Sequence, residues 1–286
     1  MQPDVSAFLH AASNTWSYIA SDPATRAAAI IDPVLDFDAA SGRTATTSAQ
    51  ALLDHVAAQR LEVHWLLETH AHADHLSAGH WLQSRLPGAT LAIGARIREV
   101  QAHFRPLFNA DFAIDGSQFD HLFEDDETFA VGALPARVLA VPGHTPDSVA
   151  YVIGDALFTG DSLFLPDGGS ARCDFPGGDP ALLYRSIRRL FERLPDETRV
   201  FVCHDYGPGG RALAHETTVG AQRRENIHVR DGNDEAAFVA MRSARDATLP
   251  VPALLLPALQ VNLRGGALPE PEDNGVRYLR IPLDRL

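Results

Sequence analysis

The chain has 286 residues, 45% of them hydrophobic, enough for a substantial core in one large domain or two small ones. Its formal charge of −13 argues against nucleic acid and anionic membrane as main partners. All 24 basic residues are arginine, and the absence of lysine excludes a lysine-containing phosphate loop and any lysine Schiff base.

No apolar run approaches the roughly 20 residues of a membrane helix. Met1-Gln2-Pro3-Asp4 lacks the basic and apolar stretches of a secretory signal, so a cytoplasmic protein without membrane contact is expected. Two cysteines are too few for a disulfide framework. Cys203 reads as a reduced, partly buried thiol. Cys173 lies in a Gly/Pro-rich loop, and its role stays open.

In chain order, Ala7–His10, Trp16–Ile19 and the apolar run Ala27–Ile31 read as strands, the last ending in Asp32-Pro33. Ser48–Gln59 has helical periodicity, and Val63–Leu67 is a strand running into Glu68-Thr69-His70. Asp74–Leu86 reads as a helix closed by Pro87-Gly88, Leu91–Ile93 as a strand and Arg96–His103 as a helix. Strands return over Phe129–Val141, and Val149–Ile153 with Ala156–Phe158 form a hairpin around Gly154-Asp155. Ala181–Leu194 is a helix and Val200–Cys203 a strand; Thr217–Asn226 and Glu235–Ser243 are helical, and Val276–Pro282 reads as a last strand. The order suggests one domain over residues 1–286 with a C-terminal extension after about residue 230.

His70-Ala71-His72-Ala73-Asp74-His75 places four metal-binding side chains within six residues at a strand end. First-row metals take imidazole nitrogens and carboxylate oxygens converging at about 2.0–2.2 Å. Residues two apart in an extended segment point the same way, so His70 and His72 can share an ion, while Asp74 and His75 turn toward a neighbouring position. Three further candidates each follow a predicted strand: His144 in Pro142-Gly143-His144-Thr145-Pro146, Asp161 after Phe158-Thr159-Gly160, and His204 before Asp205. Any one alone is more often a cap or turn residue.

Together, in this order, they resemble the ligand series of the metallo-β-lactamase superfamily. The resemblance implies an α/β fold, an αβ/βα sandwich of two mixed β-sheets flanked by helices with the metal site along one edge. With both metal positions filled it places His70, His72 and His144 on one ion and Asp74, His75 and His204 on the other, with Asp161 bridging. Asp32 either holds a ligand histidine by a hydrogen bond or is a turn residue before Pro33.

Glu68–Ser77, Ala171-Arg172-Cys173-Asp174-Phe175-Pro176-Gly177-Gly178 and Cys203-His204-Asp205-Tyr206 are similar to the persulfide dioxygenase (sulfur dioxygenase) branch, and Asn274–Leu279 resembles its bacterial members. That resemblance implies one iron(II) per chain on His70, His144 and Asp161, with glutathione persulfide and dioxygen as substrates and sulfite and glutathione as products. Two histidines and a carboxylate leave three positions open for dioxygen and substrate. His72, Asp74, His75 and His204 would then orient ligands and solvent. Tyr206 matches a tyrosine that contacts glutathione. The eukaryotic members' Asn-Pro-Arg is Asn226-Ile227-His228 here, so the carry-over fails at His228. The glutathione carboxylates would instead meet Arg172, Arg223 or Arg224. Solvation or structural pairing is the expectation for Arg223 and Arg224, and for Arg172 pairing with Asp174 is an equal alternative. A rhodanese-like role for Cys173 is disfavoured, because its loop lacks that domain's arginine pattern. The alternative is a hydrolase with two zinc ions per chain, of glyoxalase II-like thioesterase type. A homodimer is left open.

Overall fold

The structure, a computed structural model, describes residues 2–285. The chain first forms β1 (Asp4–His10), β2 (Thr15–Ser21), β3 (Ala27–Ile31), β4 (Val34–Asp38), β5 (Arg43–Ala45), α1 (Thr47–Gln59), β6 (Glu62–Leu67), β7 (Leu76–Ser77), α2 (Gly79–Gln83), β8 (Thr90–Gly94), α3 (Ile97–Phe108) and β9 (His121–Phe123). It continues with β10 (Thr128–Val131), β11 (Leu134–Ala140), β12 (Val149–Ile153), β13 (Ala156–Phe158), α4 (Pro180–Arg193), β14 (Arg199–Phe201), β15 (Glu216–Thr218), α5 (Val219–Glu225), α6 (Glu235–Asp246) and α7 (Leu255–Asn262).

Two six-stranded sheets run in the orders β1-β2-β3-β6-β8-β9 and β10-β11-β12-β13-β14-β15, beside a small β5-β4-β7 sheet. Both large sheets are mixed: β3, β6, β8 and β9 pair in parallel, as do β13 and β14, and the other neighbours are antiparallel. β3 shows why such strands read as continuous apolar runs. Ala28 and Ile30 enter a core shared with α1, α3 and α7, whereas Ala27, Ala29 and Ile31 enter the core between the sheets. In that central core Tyr18, Ile31 and Leu67 meet Val138, Tyr151 and Phe158. On the far side Leu139, Leu157 and Val200 pack against Leu183 and Ile187 of α4 and Phe238 of α6. The layers are helices, sheet, sheet, helices, the metallo-β-lactamase sandwich that the ligand series implies. Each fully buried Leu, Ile or Phe contributes roughly 1.5–3 kcal/mol, against about 0–1 kcal/mol for an exposed pair such as Arg96–Glu99. Sheet stacking therefore holds the frame that positions the site.

Four expectations change. The helix expected over Asp74–Leu86 shrinks to Gly79–Gln83, because Leu76–Ser77 pair with Val34–Leu35 instead. The Ser77 and Ala78 N–H groups that a helix would use go to the Asn262 side chain and the Pro33 carbonyl. The helix over Thr217–Asn226 begins only at Val219, where the Thr218 hydroxyl caps it by accepting from the Ala221 N–H. Val276–Pro282 is not a strand: a side chain takes the place of a strand partner, Gln260 accepting from Arg280 N and donating to Arg280 O. Finally, α7 lies in a stretch with no expected element. Among the described residues no helix is long and apolar enough to cross a membrane.

Candidate metal centre

Strand ends from both sheets meet at one edge. β6 leads into His70, β13 into Asp161 and β14 into His204, while His144 lies in the turn before β12. Backbone bonds stitch these ends together: Val149 N–H to Thr69 O at 2.9 Å, and Trp16 N–H to Cys203 O at 2.7 Å. The Tyr18 hydroxyl, buried between the sheets, donates to Val202 O at 2.5 Å. Short loops springing directly from paired sheet ends therefore carry the donor groups.

The imidazoles are fixed from behind. His70 Nδ1 lies 3.0 Å from the Thr69 hydroxyl, which donates to Asp32 Oδ2 at 2.9 Å and so accepts from His70. His144 Nδ1 donates to Arg172 O at 2.7 Å, and His204 Nδ1 to Asn14 O at 2.9 Å. His72 Nε2 sits 3.0 Å from Asp32 Oδ1. Asp32 thus holds both a histidine and the Thr69 backbone, and the turn reading of Asp32 is true as well, since its φ is +49°.

The front sides face Asp161. Its Oδ2 is 3.7 Å from both His70 Nε2 and His144 Nε2, and its Oδ1 is 3.1 Å from His204 Nε2. His70, His72 and Asp161 offer donor atoms all within 4.8 Å of one another, and so do His72, Asp74 and His75. Asp74 is already engaged: its Oδ2 accepts from the Thr15 hydroxyl and from His75 Nδ1, each at 3.1 Å.

The electrostatics follow. Burial and the neighbouring His72 push His70 well below the ordinary imidazole value, and the same causes lower His75. Burial also opposes charge on His204 and His72, but Asp161 and Asp74 outweigh it at His204, raised to about 10, and Asp32 does so at His72, raised to about 9. Asp161 is held well below the carboxylate range, because His204 overcomes its burial.

Buried donor atoms test whether a metal fits. His70 Nε2, His72 Nδ1 and His75 Nε2 are buried without a hydrogen-bond partner among the described residues. Buried imidazole nitrogens left without partners beside a buried carboxylate are costly. A divalent cation satisfies them, and binding it displaces the protons on the raised histidines. The residues fit a metal.

A cavity of about 1210 Å³ opens onto His144, Asp161 and His204 and extends past Tyr206 and His228 to Arg245. Tyr206 is 65% exposed, with its ring stacked over His204 at 6.0 Å. Arg172 lines the cavity but is paired bidentately with Asp174 and donates to Pro250 O. His228 accepts from Ser170 N–H at 3.0 Å and is lowered to about 4 by burial, Arg242 and Arg245, so it stays neutral. Arg223 pairs with Asp231 and Asp196 and Arg224 lies beside Glu225; neither lines the cavity. Sequence reasoning missed Arg245, the cavity arginine with no carboxylate partner among the described residues; only its place on the helix after Asp234 could have flagged it. Both cysteines are buried thiols, Cys173 pushed up to about 12 by burial and Asp246, which speaks against a nucleophilic role.

Fold and donor set define a metal-binding enzyme with its site at the edge of an αβ/βα sandwich. The chain belongs to the metallo-beta-lactamase superfamily, whose model matches residues 12–204. It is 53% identical to a probable metallo-hydrolase of Burkholderia pseudomallei, over 99% of both chains. It is 47% identical to Glyoxylase B2 of Dictyostelium discoideum, over 96% of this chain and 94% of the relative. It is 31% identical to the human mitochondrial persulfide dioxygenase ETHE1, over 68% of this chain and 65% of that protein. The crystal structure of ETHE1 from Myxococcus xanthus superposes with a TM-score of 0.74 at 31% identity, over 92% of this chain and all of that one.

Proposed function

We propose that this chain is an iron(II) persulfide dioxygenase that converts glutathione persulfide, dioxygen and water to glutathione, sulfite and two protons. The observation that carries the reading is the unequal state of the donors. Asp74 Oδ2 already accepts from Thr15 and His75, whereas His70 Nε2 and His144 Nε2 both face Asp161 Oδ2 across 3.7 Å. Two imidazoles and one carboxylate on one face are the donor set of oxygen-activating iron. Identity to the human persulfide dioxygenase supports it, as do the Ala171–Gly178 and Cys203–Tyr206 motifs.

Bound iron(II) would supply coordination and redox activation of dioxygen. The chain's own residues do the rest. His204 Nε2 lies 3.1 Å from Asp161 Oδ1 and 3.4 Å from Asp74 Oδ2, so it orients both carboxylates. The Tyr206 phenol and the free Arg245 guanidinium line the way out and suit the polar, anionic glutathione body. In the reaction the S–S bond breaks, the thiol leaves protonated, and the terminal sulfur gives its electrons to dioxygen while water supplies the third oxygen of sulfite. Tyr206→Phe is expected to weaken substrate binding by about 0.5–1.5 kcal/mol, one hydrogen bond, with metal retained. Steady-state kinetics check this, and unchanged KM and kcat would remove Tyr206 from the site.

The second reading is a dinuclear zinc hydrolase of glyoxalase II-like thioesterase type. It is favoured by the intact group His72, Asp74 and His75 with His204 alongside, and by identity to Glyoxylase B2. An oxygen electrode and a thioester assay on one iron-loaded preparation separate the two. Glutathione persulfide should drive oxygen uptake and sulfite formation, and glutathione alone should not. Oxygen-independent cleavage of S-lactoylglutathione, with no uptake on persulfide, would sink the dioxygenase and leave fold and donors intact.

A further inference from the structure

We propose that Asn262, at the C-terminal end of α7, is a positioning residue for the metal-ligand loop. Its carboxamide sets the backbone of His72 and His75, so metal affinity depends on a side chain beyond the region the family model matches. The inference rests on the reading of His70–His75 as that loop.

Three hydrogen bonds make the case. Asn262 Nδ2 donates one hydrogen to His72 O at 2.8 Å and the other to His75 O at 2.9 Å, while Oδ1 accepts from Ser77 N–H at 2.7 Å. The side chain is buried, at 4% exposure. A flipped amide would aim an oxygen at two carbonyls and an N–H at a third donor, so the network fixes its orientation. Residues 70–75 form neither helix nor strand, so their carbonyls lack regular partners. A short planar group with two donors and an acceptor replaces those partners at one point, as only asparagine does at that reach.

The clamp is itself held. Leu259, Val261 and Leu263 are fully buried, and Gln101 donates to Leu263 O at 3.0 Å. The chain then turns through Gly265 and Gly266, both at positive φ. A Cβ on Gly266 would lie 2.9 Å from Ser77 O, so the turn is pressed against the loop it serves. From the opposite side Asp147 accepts from Ala71 N–H at 2.8 Å. Between these two holds the His72 ring lies 3.9 Å from the His70 ring, tilted at 46°. A shift in the loop backbone therefore reaches the metal position whether one ion binds or two.

Cobalt(II) serves as the probe, because its affinity and visible spectrum report donor geometry without turnover. Asn262→Ala should raise the cobalt dissociation constant about 10–100-fold and alter the spectrum. Asn262→Ser, which retains one hydroxyl, should show a smaller loss of the same kind and serves if the alanine variant does not fold. Leu52→Ala opens a cavity in the same core from α1, outside residues 70–77 and their hydrogen bonds to Asn262; it should lower the unfolding temperature yet keep the parent affinity and spectrum. Parent-like affinity in both Asn262 variants, or equal weakening in Leu52→Ala, overturns the proposal. A parent protein that binds no cobalt overturns the ligand-loop reading, and this inference with it.

Discussion

Alanine at His70, His144 or Asp161 is expected to abolish metal retention, while His75→Ala or His204→Ala should leave the metal largely bound and lower activity about 10–100-fold. The split follows from what each side chain already does. His70 and His144 each have one nitrogen tied to the protein and the other directed at Asp161 Oδ2. Asp161 is the carboxylate these two imidazoles share, so its loss removes a donor and the charge that balances a cation. His75 keeps Nε2 free but groups with His72 and Asp74 rather than with Asp161, and His204 bridges Asp74 and Asp161, so with one ion bound both act on charge and orientation around it. Elemental analysis after desalting reads the outcome, with about one iron per chain and little zinc in the parent. Equal metal loss across all five variants, or two zincs in the parent, would move the assignment to the hydrolase.

The donors were legible because their signal is local. A ligand at the end of a hydrophobic strand shows in a few residues, and β3, β12 and β13 appear as apolar runs with both faces buried. What holds the donors was not legible. Thr15, Asn14 and Asn262 act on residues far away in sequence, through hydrogen bonds that leave no periodicity. The stretch of α7 carries Pro250, Pro252 and Pro257, and proline breaks helix interiors, yet Pro257 sits in the first helical turn, where its missing N–H has no role. The opposite error occurred at Asp74–Leu86, where Ala78, Leu82 and Leu86, four apart, suit a helix but the ladder with β4 and the Asn262 side chain take the backbone groups. Arg172 was ambiguous for a similar reason, since nothing local says whether a guanidinium beside Asp174 pairs with it or waits for a ligand.

Gly143→Ala should be the most damaging single-methyl change near the site. Gly143 has φ +134°, and a Cβ there would lie 2.3 Å from Leu183 N and 2.4 Å from Leu183 Cα, backbone atoms in the first turn of α4. Backbone cannot rotate away as a side chain does, so α4 must retreat. That would strain the Asp179 N–H to Gly143 O bond at 2.9 Å and the Ser186 hydroxyl bond to Pro142 O at 2.8 Å. Gly88 is the control: its φ is +109°, but nothing lies within 4 Å of its Cβ position, so Gly88→Ala meets conformational strain alone. That strain is on the order of 1–3 kcal/mol, and overpacking adds typically about 1–3 kcal/mol at Gly143. Thermal unfolding should therefore fall further for Gly143→Ala, by roughly 10 °C in all, than for Gly88→Ala. Because His144 follows Gly143 directly, the folded fraction of Gly143→Ala should also hold less metal, whereas Gly88→Ala should hold the parent amount. Equal temperature shifts with parent-like metal content in both would mean that α4 yields freely and does not set His144.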